Sequence, residues 1–236
     1  MVATFVNALA VILGSTLGLL IGTRLGKSFQ ETVYNGIGVV SIIIGISMAL
    51  QTQRVLYLAL ALVSGGLLGT WWGVENGILN LGNWLKKRFA SKEGDKDFAY
   101  GFLTASVLYC VGALTIVGAF QAGTEGDYQL LLTKSVMDGF MSILLASALG
   151  LGVGFSALSI LFYQGGLTLL AVWIRPLVTP LLLSEISGVG GAMVVMIGLN
   201  LLRVKEIRTG DFIPALLVII PLVLLDPHLA FLGMGN

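Results

Sequence analysis

Two ionisable side chains, Lys134 and Asp138, lie four positions apart in LLTKSVMDGFMSILLA, a stretch at residues 131–146 that otherwise resembles a lipid-facing helix. Residues at this spacing share one helical face, so the two side chains can form an ion pair. A charge deep in the hydrocarbon costs about 2.5 to 3.5 kcal/mol on insertion scales. Lys134 can extend its ammonium toward the interface, whereas the short side chain of Asp138 cannot. Two interpretations follow: a buried ion pair that fixes the helix, or an acid that carries a proton or cation during transport.

The composition indicates that this helix lies in a membrane. Of the 236 residues, 56% are hydrophobic and 11% are charged, and the mean hydropathy is +0.96. A single water-soluble core of this length would not bury so much apolar surface. The first apolar run carries no charge before Arg24 and is too long for the core of a signal peptide, so it predicts a spanning helix. The net charge of +1 argues against a nucleic-acid partner.

About eight segments are long and apolar enough to span a bilayer, which predicts an all-α polytopic membrane protein whose residues 1–236 form one membrane domain. The segments lie at about 2–23, 33–50, 55–74, 98–120, 131–150, 155–175, 187–202 and 212–230. After the third segment, apolar and polar residues alternate with helical period over residues 78–87. This pattern predicts a short amphipathic helix at the membrane surface.

The basic residues predict the orientation of the chain. The loops at 24–32, 84–97 and 203–211 alternate with the predicted spans so that they fall on one side of the membrane. They hold ten of the thirteen basic residues: Arg24, Lys27, Lys86, Lys87, Arg88, Lys92, Lys96, Arg203, Lys205 and Arg208. By the positive-inside rule that side is cytoplasmic, so both termini are expected in the periplasm or outside the cell.

An internal repeat links the two ends of the chain. Residues 36–69 read GIGVVSIIIGISMALQTQRVLYLALALVSGGLLG, and residues 188–222 read GVGGAMVVMIGLNLLRVKEIRTGDFIPALLVIIPL. Segments one to three (repeat one, about 1–83) thus resemble segments six to eight (repeat two, about 155–230), and the helices of about 98–150 join them. Five crossings separate the copies, so the repeats are expected to have inverted topology, an arrangement that many secondary transporters share. The alternative is that glycine-rich apolar helices resemble each other by chance.

Two stripes of glycine at four-residue spacing are typical of close helix packing. They are Gly14, Gly18 and Gly22 in segment one, and Gly65, Gly69 and Gly73 in segment three. In lipid, such a stripe lets a second helix approach closely, so that van der Waals contacts replace the hydrophobic effect. The partner helix belongs either to the same chain or to a second copy. The sequence leaves both open, and a homodimer is one prediction.

Further polar residues in the apolar segments are candidates for a substrate or ion site. Segment four is weakened by glycine and offers small polar groups at Cys110, Gly112 and Thr115, where a broken helix could expose carbonyl groups to an ion. The alternative is a packed helix in which the Thr115 hydroxyl bonds to its own backbone. Buried amides need a hydrogen-bonding partner or water, which draws attention to four further residues. They are Asn7, Gln164, Asn35 and Asn200.

The sequence does not favour an enzyme. It lacks the G-x-S-x-G and H-E-x-x-H motifs and has one histidine and one cysteine, so nucleophile-base pairs and metal-hydrolase sites are not indicated. We expect no metal site and no cofactor. A channel and a non-transporting scaffold remain alternatives to a transporter.

Three stretches resemble one bacterial family: CVGALTIVGAFQAG with the residues up to FYQGG, the opening FVNALAVILGSTLGLLIG, and the late GVGGAMVVMIGLNLL. The family is an inner-membrane family catalogued as domain of unknown function 554. The resemblance implies a polytopic inner-membrane protein with a possible role in transport. In relatives a proline follows the glycine of the C-V-G motif, where this chain has Ala113. Together these patterns predict a small secondary transporter of a small solute or ion, coupled to a proton or a cation.

Overall fold

A computed structural model describes residues 1–22, 27–89, 98–110 and 113–226 of the chain. Their regular structure is helical, because uninterrupted apolar runs in lipid must satisfy every backbone N–H and C=O within the segment. The α-helices are α1 (Val2–Gly22), α2 (Lys27–Ala49), α3 (Val55–Trp72), α4 (Val74–Phe89), α5 (Phe98–Cys110), α6 (Ala113–Thr124), α7 (Gln129–Leu149), α8 (Gly152–Ile174), α9 (Pro180–Leu201) and α10 (Ala215–Leu224). Short 3₁₀ turns occupy Arg175–Leu177 and Thr209–Phe212.

Six helices in the described ranges are long and apolar enough to cross a membrane, namely α1, α2 from Glu31 onward, α3, α7, most of α8, and α9. The helices α5 and α6 pass the same test only together, with a bend of 60° between them. The all-helical, multi-pass prediction is therefore confirmed, and the six long helices coincide with six of the predicted segments. Segment four is a bent pair, and segment eight is the shorter apolar helix α10 with its preceding 3₁₀ turn.

The glycine stripe of α1 packs on α7 within the same chain. A Cβ atom added to any of its three glycines would overlap the backbone carbonyl of a residue in α7. The pairs are Gly14 with Gly139, Gly18 with Ile143, and Gly22 with Ser147. Since the residue numbers of the contacting positions rise together in the two helices, α1 and α7 run parallel.

The glycines of α3 also pack within the chain, on the segment that contains α10. A Cβ atom on Gly65 would meet Ala215, and one on Gly69 would overlap the backbone of Asp211. Gly73 does not pack but ends α3, in the left-handed conformation at φ 66° that favours glycine. Contacts within the chain thus account for the packing glycines of both stripes. The homodimer stays a prediction, and these glycines do not supply its interface.

The long helix α9 packs antiparallel along α2. Gly45 of α2 lies against Gly191 of α9, and Gly198 of α9 lies against Gly38 of α2. Backbones this close allow no Cβ atom at the crossing, which explains glycine at all four positions. The predicted segment seven began seven residues too late, because α9 begins at Pro180.

Candidate functional site

The ion pair predicted from sequence is formed, and it is buried among α1, α7 and α8. Lys134 is 6% exposed and Asp138 is 8% exposed. The Lys134 ammonium donates to Oδ2 of Asp138, and the side chain of Asn7 donates to the same oxygen at 3.0 Å. Asp138 lies nine residues after the start of α7, so it is about 14 Å from that end at 1.5 Å per residue, near the middle of the helix. Both charges are therefore compensated by protein groups rather than by water.

A chain of amides extends from this pair across α1 to α8. Asn7 also donates to Oε1 of Gln164 at 2.9 Å, and Gln164 donates to the Thr4 hydroxyl at 3.3 Å. Asn7 is completely buried, and its Oδ1 atom has no hydrogen-bond partner among the described residues. A buried acceptor without a partner is costly and uncommon in native proteins, so this oxygen is a position where a proton donor, water or cation would be stabilised.

A cavity of about 190 Å³ lies next to the ion pair, between α2, α5, α6, α7 and α9. Its polar lining residues are Gln51, Tyr109, Thr115, Lys134, Asp138 and Ser187, and the rest of the wall is aliphatic and methionine side chains. Ser187 is 1% exposed and its hydroxyl has no partner in the described part of the chain. The cavity is smaller than the pockets of about 300 to 1,000 Å³ that hold drug-sized ligands, so it suits a small solute or a hydrated ion.

The bent pair α5 and α6 contributes the wall opposite Asp138. The Thr115 hydroxyl of α6 donates to the backbone carbonyl of Tyr109 in α5 at 3.2 Å, which satisfies an acceptor near the bend. The hydroxyl of Tyr109 lies 2.9 Å from that of Ser142, and Ser142 donates to the backbone carbonyl of Asp138 at 2.7 Å. This second polar chain holds α5 against α7 at the level of the acid.

The remaining candidate residues are spread over the molecule. Cys110 is buried, but it lines a separate apolar groove with Phe162 and Tyr163 and not the cavity of Asp138. Gly112 lies outside the described residues. Asn35 is exposed on α2. The structure thus brings Lys134, Asp138, Thr115 and Gln164 together around the ion pair.

Asn200 has a different environment from the ion pair, at the other end of α9. Its side-chain amide donates to the backbone carbonyl of Ile207 at 2.8 Å, and the Ile207 N–H donates back to Oδ1 at 2.7 Å. These two bonds close the turn that follows α9. The observed role of Asn200 is therefore to fix this turn.

Sequence reasoning missed Glu185, which is completely buried in α9. Its carboxylate accepts the Thr52 hydroxyl at 2.5 Å and the backbone N–H groups of Gln53 and Arg54 at 2.7 and 3.0 Å. It therefore ties the turn between α2 and α3 to α9. The start of α9 had a readable signal: Thr179 caps the helix by accepting from the Leu182 N–H, and Pro180 follows as the first residue.

A second tie lies at the opposite end of α3. The Gly210 N–H donates to the Glu75 carboxylate at 2.9 Å, and the Glu75 N–H donates to the Asp211 carboxylate at 3.0 Å. Burial raises the pKa of Glu75 above its ordinary value, and the Gly210 hydrogen bond opposes the shift. Arg208 pairs with Asp211 at 3.2 Å. The ties at Glu185 and at Glu75 both join α3 to elements of the last third of the chain.

A bundle of apolar helices around a buried ion pair and a small cavity defines a multi-pass integral membrane protein. The chain belongs to the family described as "Protein of unknown function (DUF554)", whose family profile matches residues 2–224. It is similar to the uncharacterized membrane protein YdfK of Bacillus subtilis (strain 168), with 32% identity over 92% of this chain and 93% of that protein. It is also similar to the uncharacterized protein YqgA of Escherichia coli (strain K12), with 30% identity over 94% of this chain and 95% of that protein. No solved structure matches the chain.

Proposed function

We propose that the protein is a small secondary transporter of the bacterial inner membrane, which moves a small solute or ion and uses Asp138 to carry the coupling proton or cation. The observation that carries the proposal is the buried Lys134–Asp138 pair on the wall of a cavity of about 190 Å³. An ionisable group at this depth is costly and faces a functional path in most membrane proteins. No enzymatic role is proposed.

The packing of the helices supports two inverted repeats. Each of the first three spans packs antiparallel on its counterpart among the last three: α1 on α8, α2 on α9, and α3 on α10. The two glycine contacts between α2 and α9 are also related by this repeat. Gly38 in the first copy corresponds to Gly191 in the second, and Gly45 corresponds to Gly198, each 153 positions later. The contact of Gly38 with Gly198 therefore has the contact of Gly191 with Gly45 as its counterpart. A pseudo-two-fold axis in the membrane plane would exchange these contacts, as in transporters with inverted repeats.

The neighbours of the two irregular segments support eight crossings. Ser106 of α5 lies 2.8 Å from Ser159, and Gly123 of α6 lies against Thr168, so the bent pair runs beside α8 over most of its length. The segment 209–226 follows α3 in the same way, from Gly69 to the Arg54–Asp226 ion pair of 3.2 Å. A segment that runs the length of a spanning helix crosses the same thickness.

Eight crossings would put both termini on the same side of the membrane, and we propose that this is the periplasmic side because most basic residues fall in the loops of the opposite side. The turns at 50–54, 125–128 and 175–179 would share that side with the termini. The loops predicted at 24–32, 84–97 and 203–211, which hold ten of the thirteen basic residues, would lie on the cytoplasmic side. In this orientation Glu185 ties the periplasmic ends of the repeats, and Glu75 with Asp211 ties the cytoplasmic ends.

The chemistry of coupling follows from the geometry of the ion pair. A proton or cation that binds Asp138 cancels its attraction for Lys134 and weakens the Asn7 hydrogen bond to the same oxygen. The freed ammonium would then be available to an anionic or polar group of a solute in the cavity. Release of the two ties at the ends of α3, one at a time, would open the cavity to alternate sides, as alternating access requires.

The test uses purified protein in liposomes that contain a pH-sensitive dye, with a potential set by potassium and valinomycin. Pooled amino acids, nucleosides, organic acids and inorganic cations are added outside in separate experiments. We expect one pool to produce a saturable proton flux that Asp138→Asn abolishes, while exchange of labelled solute across the membrane persists. Ion flux that needs no solute and does not saturate would indicate a channel. Flux that is the same in wild type and Asp138→Asn would refute the coupling role.

A further inference from the structure

A second cavity, of about 370 Å³, lies at the end of the bundle where α9 ends. It is separate from the Asp138 cavity and carries two basic side chains. Its polar lining residues are Tyr34, Tyr100, Asn200, Arg203, Lys205 and Glu206. With two basic groups and one acidic group, the wall has an excess of one positive charge.

The backbone of Arg203 has a conformation that arginine rarely adopts. Its φ of 56° is positive, and among the described residues Arg203 is the one non-glycine residue with positive φ. Arg203 directly follows Leu202, the C-cap residue of α9. The Arg203 N–H donates to the Asn200 carbonyl at 2.9 Å, and the Val204 N–H donates to the Leu199 carbonyl at 3.0 Å. This is the Schellman pattern, in which glycine ordinarily occupies this position. A strained backbone conformation at a non-glycine residue is often found at functional sites, so the side chain of Arg203 is a candidate for a functional role.

The side chain of Arg203 extends over an aromatic ring on the cavity wall. Its guanidinium carbon lies 5.9 Å from the centre of the Tyr34 ring, within the range of a cation–π contact. The ring is fixed in turn, because the Tyr34 hydroxyl donates to the backbone carbonyl of Ala148 at 2.8 Å. Asn200 holds the following turn closed through Ile207, and this turn carries Lys205. Hydrogen bonds thus fix both the ring under Arg203 and the turn that carries Lys205.

We propose that this cavity binds a phosphate-bearing anion, with Arg203 and Lys205 as its ligands. A guanidinium offers paired N–H donors that match phosphate oxygens, and an ammonium adds a compact positive charge. Basic pockets between spanning helices on the cytoplasmic side recognise anionic lipid headgroups. The same chemistry would recognise a soluble phosphate ester, so the source is the headgroup of an anionic phospholipid or a free phosphate compound.

The test is thermal unfolding of the full-length protein in nanodiscs. The discs contain either phosphatidylcholine alone or phosphatidylcholine with phosphatidylglycerol, and the neutral discs are titrated with sn-glycerol 3-phosphate. Wild type should unfold at a higher temperature with the anionic lipid or with the soluble ester. The first result identifies a lipid site and the second a soluble phosphate. No rise with either overturns the proposal.

The variants separate binding from a structural role. Arg203→Gly should keep or raise the unfolding temperature in neutral discs, because glycine suits the positive φ, and it should weaken anion binding at least about tenfold, the effect of about 1.4 kcal/mol. Lys205→Gln should also reduce the rise, which keeps the test valid if Arg203→Gly does not fold. The control Lys87→Gln removes an exposed charge of α4, outside this wall, and should leave the rise unchanged. A rise that persists in both Arg203→Gly and Lys205→Gln contradicts the assignment.

Discussion

Removing one member of the Lys134–Asp138 pair should destabilise the protein far more than removing both. The two side chains are 6% and 8% exposed, so neither can recover its hydration when the other loses its charge. Loss of one partner of a buried pair costs about 3 to 5 kcal/mol, whereas replacement of both by uncharged groups of similar volume is often neutral or stabilising. We expect about 3 to 5 kcal/mol for Asp138→Asn and less than about 2 kcal/mol for Asp138→Asn with Lys134→Met.

The hydrogen bond from Asn7 raises the expected cost of Asp138→Asn. Asn7 donates to the carboxylate oxygen at 3.0 Å, and a bond to a charged acceptor contributes about 1.5 to 3 kcal/mol, against about 1 kcal/mol for a neutral one. Asparagine at position 138 keeps the neutral bond and loses the charged one. The double variant loses the same charged bond, so this loss cancels when the two variants are compared. From the values above, the coupling energy of the Lys134–Asp138 cycle should exceed about 1 kcal/mol, above the additivity error of about 0.5 kcal/mol.

The assay is reversible unfolding in mixed micelles of increasing sodium dodecyl sulfate content, followed by the fluorescence of the tryptophans. The matched control is the ion pair of Arg175 with Glu125, which are 65% and 54% exposed in their side chains and 3.7 Å apart. Glu125→Gln should change the free energy of unfolding by less than about 1 kcal/mol, since exposed pairs contribute little. A double variant as unstable as Asp138→Asn, or a cost for Asp138→Asn as small as that for Glu125→Gln, would refute the reasoning.

Three further predictions follow from the packing and the charges. Gly69→Ala should destabilise the protein by about 1 to 3 kcal/mol in the same micelle assay, because the added Cβ would overlap the backbone of the turn that precedes α10. The control Gly36→Ala should be neutral or slightly stabilising, because a Cβ there would meet nothing within 4 Å. Equal effects of the two variants would contradict this packing. The folded pKa of Glu75 is raised, so folded protein holds the proton to higher pH than unfolded protein, and stability falls as pH rises from the ordinary glutamate pKa through the raised one. Glu75→Gln should therefore raise the thermal unfolding temperature at neutral pH and lose this advantage in acid, and an advantage that grows in acid would reverse the sign. In a Cys110→Ser background, cysteine at 125 should react with an impermeant reagent added outside intact cells and cysteine at 87 should not; reaction at both would overturn eight crossings.

Much of the fold is predictable because lipid restricts the choices. A spanning segment has to satisfy its backbone internally, so apolar runs of sufficient length form helices whatever their neighbours are. The same local rule predicts the Lys134–Asp138 pair, because a separation of four residues places both side chains on one helical face. Segment seven is predicted to begin at about residue 187, whereas α9 begins at Pro180 and includes the buried Glu185. Its carboxylate is stabilised by backbone groups of Gln53 and Arg54, which are distant in sequence.

The sequence by itself determined the membrane class, the helical segments, the local ion pair and the positions where helices approach closely, since these depend on composition and on the helical repeat. Only the tertiary structure decided which helices meet. A glycine stripe offers the same flat surface to any helix, because packing in lipid has no hydrophobic preference for one apolar partner over another. Asn7 and Asp138 are 131 residues apart, and Asn7 and Gln164 are 157 residues apart. Their hydrogen bonds exist only because α1 lies between α7 and α8, an arrangement that no residue of α1 specifies locally.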